Sequence, residues 1–354
     1  MIIKLGEEIE EYTLRNKKDE DIPVYSVTND KGFCTGYFSK DVSSKDQSTY
    51  KIVPYGCFAY NPSRINVGSV DWQHCEDKVI VSPLYVVFKV SNKINLQYLY
   101  YYLKSDIART YIKATAAGSV RDNLKFSMLK EFPFNLRTLE EQSKIVKVLK
   151  RVENNIELCK KRAEYLDTLV KSRFIEMFGD PDTNEKGWKI NTFGEICSVR
   201  QGLQIPISKR LTEYEDDCYE YITVQYLHGG KEREYIKNPK STVICTKDDI
   251  LMTRTGNTGM VVTGVDGVFH NNFFLIDFDR NKYDKDFLIQ YLKLDIIQAD
   301  ILRRAGTSTI PDLNHGEFYK IKVFEPPIEL QDRFKDFLIQ TDKSKHFCEM
   351  EVAA

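Results

Sequence analysis

Residues 138–181 read TLEEQSKIVKVLKRVENNIELCKKRAEYLDTLVKSRFIEMFGDP. Within this segment, mostly apolar side chains recur at alternating steps of three and four residues, with charged residues on both flanks. Such a heptad seam is typical of a helix that packs lengthwise against another helix. We therefore predict one long coiled-coil helix across residues 138–180. Its seam consists of Gln142, Ile145, Leu149, Val152, Ile156, Cys159, Ala163, Leu166, Val170, Arg173 and Met177.

Both ends of this predicted helix carry boundary signals. Thr138 precedes the first apolar residue and Glu141 follows three residues later, which is the spacing of an N-terminal capping box. At the other end, Gly179 suits a helix stop, and Pro181 cannot continue a helix. A helix of about 40 residues is about 60 Å long, because each residue adds 1.5 Å.

The sequence on either side of this helix is written twice. Each landmark returns 188 or 189 residues later, and the order is the same in both copies, which makes chance similarity a poor explanation. The landmarks are LGE (5–7) and FGE (193–195), GSVRDNL (118–124) and GTSTIPDLN (306–314), and LEEQ (139–142) and IELQ (328–331).

The second copy also leads into a helix, which the sequence predicts to be shorter or frayed. After Pro326 and Pro327, apolar side chains at seam spacing are clear as far as Thr341 and weaker beyond it. Exposing a long apolar seam to water is costly, so we predict that the two helices pack as an antiparallel pair. The seam of the second helix consists of Leu330, Phe334, Phe337 and Thr341.

The predicted fold is α/β (α+β), with an internal pseudo-two-fold repeat. Strand candidates 79–90 and 243–255 are rich in Val, Ile, Phe and Thr, and helix candidates 96–114 and 285–304 show apolar residues at three and four spacing. The predicted organisation is a first domain (1–137), a central coiled-coil spacer helix (138–180), a second, similar domain (181–326) and a short C-terminal spacer helix (327–354).

Composition narrows the class of protein. Eight scattered cysteines without a C-x-x-C pair indicate neither a zinc site nor a disulfide framework, and a reducing cytoplasm is the expected compartment. No apolar run approaches the ~20 residues of a membrane span. The net charge is −1, although residues 104–130 hold six basic and two acidic residues. That local excess suits a nucleic-acid contact and a solvated helix face equally well.

Two further segments carry a resemblance to a known family. Together with the repeated helix starts, FAYNPSRINVGS (58–69) and DILMTRTGNTG (249–259) resemble the specificity subunits of type I restriction-modification enzymes. The resemblance extends from residue 5 to about residue 337. It implies two target recognition domains that each read half of a bipartite double-stranded DNA site, held apart by antiparallel helices that also dock two methyltransferase subunits. The resemblance also implies translocase-nuclease subunits as possible further partners.

Candidate DNA-binding residues lie in the two segments and in the repeated loops. Arg64 and Arg254 have donors that suit a guanine edge, and Asn61, Asn66 and Asn257 have amides that suit an adenine edge. Small hydroxyls and glycines let a backbone approach phosphate. The alternative is that both segments are turns that shape the domain. The remaining candidates are Tyr60, Ser63, Ser119, Arg121, Thr255, Thr258, Thr307 and Thr309.

Catalytic motifs are missing from the sequence. It has no G-x-G turn, no Walker loop and no methyltransferase-type Pro-Pro-aromatic motif, and Glu185-Lys186 lacks the nuclease Asp/Glu-x-Lys spacing. We therefore expect no catalytic residue, metal or cofactor in this chain, with S-adenosylmethionine, ATP and Mg²⁺ on partner subunits. Two alternatives stay open: a related system whose partner fuses methyltransferase and nuclease, and a coiled-coil scaffold that binds no DNA.

Overall fold

The computed structural model describes residues 1–18, 20–36, 47–116, 123–227, 229, 232–306 and 311–353, without the side chains of residues 116, 349 and 351–353. The chain forms two compact units, Met1–Asn155 (unit 1) and Ile156–Ala354 (unit 2). The division falls inside one continuous helix. The predicted domain limits follow sequence landmarks and do not coincide with this division, because each unit includes part of that helix.

Unit 1 combines short strands with helices. The strands are β1 (Ile2–Lys4), β2 (Ile9–Glu11), β3 (Ser26–Thr28), β4 (Gly32–Cys34), β5 (Lys51–Pro54), β6 (Phe58–Tyr60), β7 (Val70–Trp72), β8 (Lys78–Val81), β9 (Val86–Val90) and β10 (Pro133–Asn135). The helices are α1 (Leu96–Lys104), α2 (Asp106–Ala116), α3 (Phe126–Leu129) and α4 (Leu139–Phe178), with short 3-10 turns at Leu5–Glu7 and Ile65–Val67.

The main sheet of unit 1 has the antiparallel order β2-β9-β6-β7. Phe58 on β6 lies opposite Phe88 on β9, and both side chains are fully buried. Strands β1 and β10 form a separate pair in which Ile3 lies opposite Phe134. This pair brings the two ends of segment 1–137 together. Two further strand pairs, β3 with β4 and β5 with β8, complete the unit.

Unit 2 repeats this plan. Its strands are β11 (Lys189–Thr192), β12 (Cys197–Gln201), β13 (Cys218–Ile222), β14 (Tyr235–Lys237), β15 (Ile244–Cys245), β16 (Ile250–Thr253), β17 (Val261–Val262), β18 (Gly267–Phe269), β19 (Phe273–Phe278) and β20 (Lys322–Glu325). Its helices are α5 (Phe193–Ile196), α6 (Val224–Leu227), α7 (Lys285–Lys293), α8 (Asp295–Ala305), α9 (His315–Phe318) and α10 (Ile328–Ala353), with 3-10 turns at Ile207–Lys209 and Ser241–Val243.

The sheets of the two units show the same topology. The order β12-β19-β16-β17 in unit 2 matches β2-β9-β6-β7 in unit 1, and β11 pairs with β20 as β1 pairs with β10. The units differ in their remaining strands, since unit 2 has a four-stranded sheet of order β14-β13-β18-β15. The predicted duplication is confirmed, and it extends to the strand order of the main sheet.

The strand and helix candidates within the two domains are each interrupted. Candidate 79–90 is two strands separated by a turn in which the Tyr85 N–H donates to the Ser82 carbonyl at 3.0 Å, because Pro83 cannot donate to a ladder. Candidate 243–255 breaks likewise between Cys245 and Ile250. Helix candidates 96–114 and 285–304 break at Ser105 and Leu294, whose backbones are extended. These boundaries correct the prediction.

Helix α4 begins and ends as predicted. The Thr138 N–H donates to Glu141 Oε2 at 2.9 Å, and the Glu141 N–H donates to Thr138 Oγ1 at 3.3 Å, which is the reciprocal capping box. At its end, Gly179 has a φ of 81° and its N–H donates to the Ile175 carbonyl at 2.7 Å. Between these caps, the helix runs for 40 residues without a break.

In unit 2, the end of α4 packs against α10. The Phe334 ring lies 5.3 Å from the Phe174 ring and 5.5 Å from the Phe178 ring, between centroids. Further along, Lys345 forms an ion pair with Asp167. Residue numbers rise along α10 as they fall along α4, so the helices are antiparallel, as predicted. Helix α10 spans 26 residues, to Ala353.

Candidate nucleic-acid interface

The first candidate segment is a rigid hairpin that joins β6 to β7. Asn61 Oδ1 accepts hydrogen bonds from the Ser63 N–H at 3.1 Å and from Ser63 Oγ at 2.9 Å. Gly68 has a φ of 93°, and a Cβ there would lie 2.2 Å from Asn29 Oδ1. Lys104 Nζ donates to the Gly68 carbonyl at 2.6 Å and to the Asn29 carbonyl at 3.0 Å. Lys104 therefore anchors the hairpin. The sequence analysis considered this lysine only as part of the basic excess in residues 104–130.

Arg64 lies at the exposed tip of this hairpin. Its backbone carbonyl accepts from the N–H groups of Val67 and Ser69, both at 3.2 Å. Its guanidinium makes no ion pair or hydrogen bond with any residue that the structure describes. A free guanidinium on a fixed backbone is what a bidentate contact with a guanine edge requires. The geometry fits the predicted role of Arg64, which stays a prediction, as do those of Asn61 and Ser63.

Two residues of the same segment point inward. Tyr60 is fully buried, and its hydroxyl donates to the Leu124 carbonyl at 3.1 Å. Burial raises the pKa of Tyr60. The prediction that Tyr60 contacts DNA is therefore wrong, because β6 is an inner strand with both faces covered. Asn66 Oδ1 is buried without a hydrogen-bond partner, so its amide cannot present both atoms to an adenine in this conformation.

Basic residues surround the hairpin. The Pro62 carbonyl accepts from the Leu124 N–H at 3.1 Å, which places the exposed Lys125 beside it. Arg109 projects from α2, and its Nη1 lies 3.9 Å from Asp106 Oδ1, at the limit of an ion pair. Burial lowers the pKa of Lys104, which Asp71 partly opposes. Of the predicted basic excess, Lys104 and Lys125 thus lie at the hairpin that carries Arg64.

The second candidate segment, the hairpin between β16 and β17, is closed by an internal ion pair. Arg254 Nε lies 2.9 Å from Asp312 Oδ1, and Arg254 Nη2 lies 2.8 Å from Asp312 Oδ2. This parallel pair occupies the guanidinium edge that a bidentate base contact would use. In this conformation, the predicted guanine contact of Arg254 is not available. Sequence reasoning missed Asp312, although it lies in a repeated landmark.

The hydroxyl of Thr258 is also used inside unit 2. Thr258 is 8% exposed, and its Oγ1 donates to the Pro311 carbonyl at 2.8 Å and lies 3.1 Å from the Arg254 carbonyl. The Thr258 hydroxyl is therefore not free for a DNA contact in this conformation, and the predicted approach of its backbone to phosphate stays a prediction. Thr255 forms a backbone bridge with Asp312, and Asn257 is exposed. The predicted DNA contacts of Thr255 and Asn257 stay predictions.

Other cations near this hairpin are paired. Arg304 Nε lies 2.8 Å from Asp300 Oδ2, and its Nη1 lies 3.5 Å from Glu317 Oε2. Arg303 pairs with Asp300 as well. The two hairpins occupy equivalent places in the fold, yet the arginines near the unit 2 hairpin pair with neighbouring carboxylates, whereas Arg64 in unit 1 pairs with none of the residues that the structure describes.

We predict that Arg254→Ala lowers the free energy of unfolding of unit 2 by about 1–2 kcal/mol, between the values of surface and buried ion pairs. The Arg254 side chain is 19% exposed and that of Asp312 is 46% exposed. Denaturant unfolding of Arg254→Ala, Asp312→Ala and the double variant measures the coupling energy of the pair. Independent effects of the two substitutions would contradict this structural role.

Four candidate residues lie outside the described residues. They are Ser119, Arg121, Thr307 and Thr309, in the repeated glycine loops. Among the residues that the structure does describe, no group of three or more His, Cys, Asp or Glu side chains is arranged to bind a metal, and the cysteines form no disulfide. Within the same ranges, no helix combines the length and apolar character needed to cross a bilayer.

The helix seam divides into buried and accessible positions. Val170 and Phe334 are buried in the core of unit 2, where α4 packs against α10, which agrees with their predicted place in the helix seam. Val152 is 49% exposed, although the seam prediction places it inward. Phe174 and Phe178, which the seam omits, are fully buried. The half-buried seam positions are Ile145, Leu149, Ile156, Ala163, Leu166 and Phe337.

An apolar groove of about 580 Å³ lies between α4 and α10 in unit 2. Tyr165 is 72% exposed and Phe347 is 60% exposed at its surface. Arg162 and Lys343 also line it, and neither forms an ion pair with a described side chain. The groove is therefore apolar with a cationic border. Its lining consists of Arg162, Tyr165, Leu166, Leu169, Lys343, Ser344, Phe347 and Cys348.

Solved structures share this fold at low sequence identity. One matching chain comes from a structure described as the structural basis of complex assembly and conformational transition of the type I R-M system. It matches with a TM-score of 0.67 and 17% identity, over 100% of this chain and 93% of that chain. The type I restriction-modification S subunit from M. genitalium matches with a TM-score of 0.56 and 16% identity over 100% and 92%.

Sequence comparisons find relatives as well. The MjaIX specificity subunit of Methanocaldococcus jannaschii is 32% identical over 149 residues, which is 38% of this chain and 34% of that protein. The MjaVIII specificity subunit of the same organism is 23% identical over 158 residues, or 44% and 36%. The matches thus span about a third of the length of these curated relatives.

A family model, the type I restriction modification DNA specificity domain, matches twice, at residues 6–167 and 185–347. The chain, with its duplicated sheets and paired helices, therefore belongs to the type I restriction-modification DNA specificity family.

Proposed function

We propose that this chain recognises DNA sequence for a type I restriction-modification enzyme, and that each repeat reads one part of a bipartite target. The observation that carries the proposal is that the family domain matches once per repeat, on two sheets of identical strand order. Two similar domains in one chain suit two separate half-sites, as in dimeric DNA-binding proteins.

Catalysis, in this proposal, belongs to partner subunits. S-adenosylmethionine, ATP and Mg²⁺ bind to methyltransferase and translocase-nuclease chains. The present chain selects the DNA sequence on which they act. The missing methyltransferase, Walker and nuclease motifs support this division of labour. A partner that fuses methyltransferase and nuclease in one polypeptide would need the same recognition chain.

Selection from a randomised duplex library tests the proposal. The full chain, alone and with its methyltransferase subunit, is incubated with the library, and bound duplexes are sequenced. We expect enrichment of two short blocks of defined sequence separated by a gap of fixed length. A coiled-coil scaffold that binds no DNA predicts no enriched sequence at all, and that result would reject the proposal.

We predict that Arg64→Ala weakens discrimination at one base pair of the selected target by about 1–3 kcal/mol, because one bidentate contact is lost. Competition binding with each single-base variant measures this. Arg151→Ala is the matched control, since Arg151 is an exposed arginine on α4. A uniform loss of affinity across all variants would instead identify a phosphate contact, and no loss would exclude Arg64 from the interface.

We also propose that the groove between α4 and α10 binds a methyltransferase subunit. Its apolar lining suits an amphipathic helix, and Arg162 and Lys343, which pair with no described side chain, suit carboxylates beside the apolar stripe of that helix. We predict that Leu169→Glu lowers the affinity for this subunit by about 30-fold, the effect of losing an interface hot spot of about 2 kcal/mol. Isothermal titration calorimetry measures the affinity.

Thr168→Glu is the matched control for this experiment. Thr168 is exposed on the same helix and does not line the groove, so the new carboxylate should leave the affinity unchanged. Equal losses in both variants would indicate a nonspecific charge effect. Unchanged binding by Leu169→Glu would place the methyltransferase on another surface of the chain.

A further inference from the structure

Gln142, in the first turn of α4, is fully buried and bonds to three backbone groups of unit 1. Its Oε1 accepts from the Asn95 N–H at 2.7 Å, and its Nε2 donates to the carbonyls of Lys93 at 2.9 Å and Arg137 at 2.8 Å. Lys93 and Asn95 belong to the turn between β9 and α1, whereas Arg137 lies between β10 and α4. One side chain therefore joins two separate connections to the base of the long helix.

Gln331 does the same in unit 2. Its Oε1 accepts from the Asp284 N–H at 2.8 Å, and its Nε2 donates to the carbonyls of Lys282 at 2.9 Å and Pro326 at 2.8 Å. Gln331 and each of its partners lie 189 residues after their counterparts in unit 1. The corresponding distances agree within 0.1 Å. The duplication has thus kept a complete four-residue polar arrangement at the base of both helices.

These hydrogen bonds stabilise the base of each helix and also fix the direction in which the helix leaves its domain. A buried glutamine with its oxygen and both amide hydrogens bonded leaves no polar atom of its amide unpaired, and its bonds hold at defined angles. An apolar side chain of similar size would fill the same space without fixing an angle, because apolar contacts are not directional. The three hydrogen bonds of each glutamine therefore resist pivoting of the helix against the domain that precedes it.

We propose that Gln142 and Gln331 are positioning residues that fix the direction in which each coiled-coil helix leaves its recognition domain, and that they thereby set the gap which the chain accepts between its two half-sites. This inference rests on the proposed function. One extra base pair moves a half-site by about 3.4 Å. A pivot of only about 3° at the base of α4, which is about 60 Å long, moves its far end by about that distance, and the shorter α10 needs a pivot of about 5°. The direction of each helix must therefore be fixed if the chain is to discriminate between gaps that differ by one base pair.

The test uses the full chain and the bipartite duplex that the unmodified chain selects from the randomised library. Affinities are measured for duplexes whose gap is shorter or longer by one or two base pairs. In Gln142→Met and Gln331→Met, we expect the same half-site sequences to be selected. We also expect the preference for the native gap over gaps changed by one base pair to fall by about tenfold, because three directional hydrogen bonds are lost. Gln340→Met is the matched control at an exposed position of α10, with an unchanged gap profile.

A purely stabilising role predicts a different result. Loss of affinity by the same factor at every gap, or an unchanged gap profile, would overturn the inference. If Gln142→Met fails to fold by circular dichroism, Gln331→Met is tested alone by the same gap criteria, since Gln331 makes the equivalent bonds in unit 2. Absence of any bipartite motif with the unmodified chain would instead overturn the proposed function, so the two failures are distinguishable.

Discussion

Replacement of Phe174 by alanine is expected to lower the free energy of unfolding of unit 2 by about 3–5 kcal/mol. Phe174 is fully buried, and its ring lies 4.7 Å from the ring of Phe178, 5.4 Å from that of Phe287 and 5.3 Å from that of Phe334. These rings come from α4, α7 and α10. The substitution removes apolar contacts and leaves a cavity at the place where three helices meet.

The two tryptophans of the chain allow this effect to be assigned to one unit. Trp72 lies in unit 1 and Trp188 in unit 2, where its Nε1 donates to the Phe178 carbonyl at 2.8 Å. In a Trp72→Phe background, denaturant unfolding followed by Trp188 fluorescence reports on unit 2. Phe347→Ala is the matched control; Phe347 is 60% exposed, and we expect a change below about 0.5 kcal/mol. Similar effects of the two substitutions would contradict the packing of α4 against α10.

Exchange of residues 1–137 for the corresponding segment of another specificity subunit is expected to change one half of the recognised sequence and to leave the other half and the gap unchanged. The segment begins and ends in the paired strands β1 and β10, so its two ends are adjacent and can accept a substitute module. Affinity for the original target should fall by about 10³ or more, towards nonspecific binding. Library selection with the hybrid chain measures both changes.

The outcome of this exchange discriminates between classes of function. A scaffold that binds no DNA predicts that the hybrid behaves as the original chain does. A change in both halves of the target would contradict independent reading by the two repeats. Circular dichroism and the Trp188 fluorescence of the hybrid verify that unit 2 is intact, so that a loss of binding is not mistaken for unfolding.

Features with a local or periodic signal could be predicted from the sequence. The α4 helix follows from side chains three and four residues apart, and its capping box from Thr138 and Glu141. The duplication follows from landmarks at a constant offset. Gln142 and Gln331 were visible as matching polar residues in that repeat, but their role depends on backbone groups up to 49 residues away in sequence, which no local pattern reveals.

Features that depend on distant partners could not be predicted. Arg254 looks like a free base-reading residue until the fold brings Asp312, 58 residues later, against it. Tyr60 looks accessible because it adjoins polar residues, yet β6 is covered on both faces. The helix breaks at Ser105 and Leu294 were missed since apolar spacing continues across them, and backbone conformation rather than periodicity ends α1 and α7.

The division of α4 at Asn155 has a practical consequence for dissecting the molecule. A fragment that stops at residue 137 would lack Gln142 and Val146, which are 0% and 9% exposed, and would leave the Asn95 N–H without its acceptor. A fragment that runs to residue 155 keeps residues 139–155 of α4, including the buried Gln142 and Val146. A fragment boundary that keeps the contacts of unit 1 therefore falls inside α4 and not at its first residue.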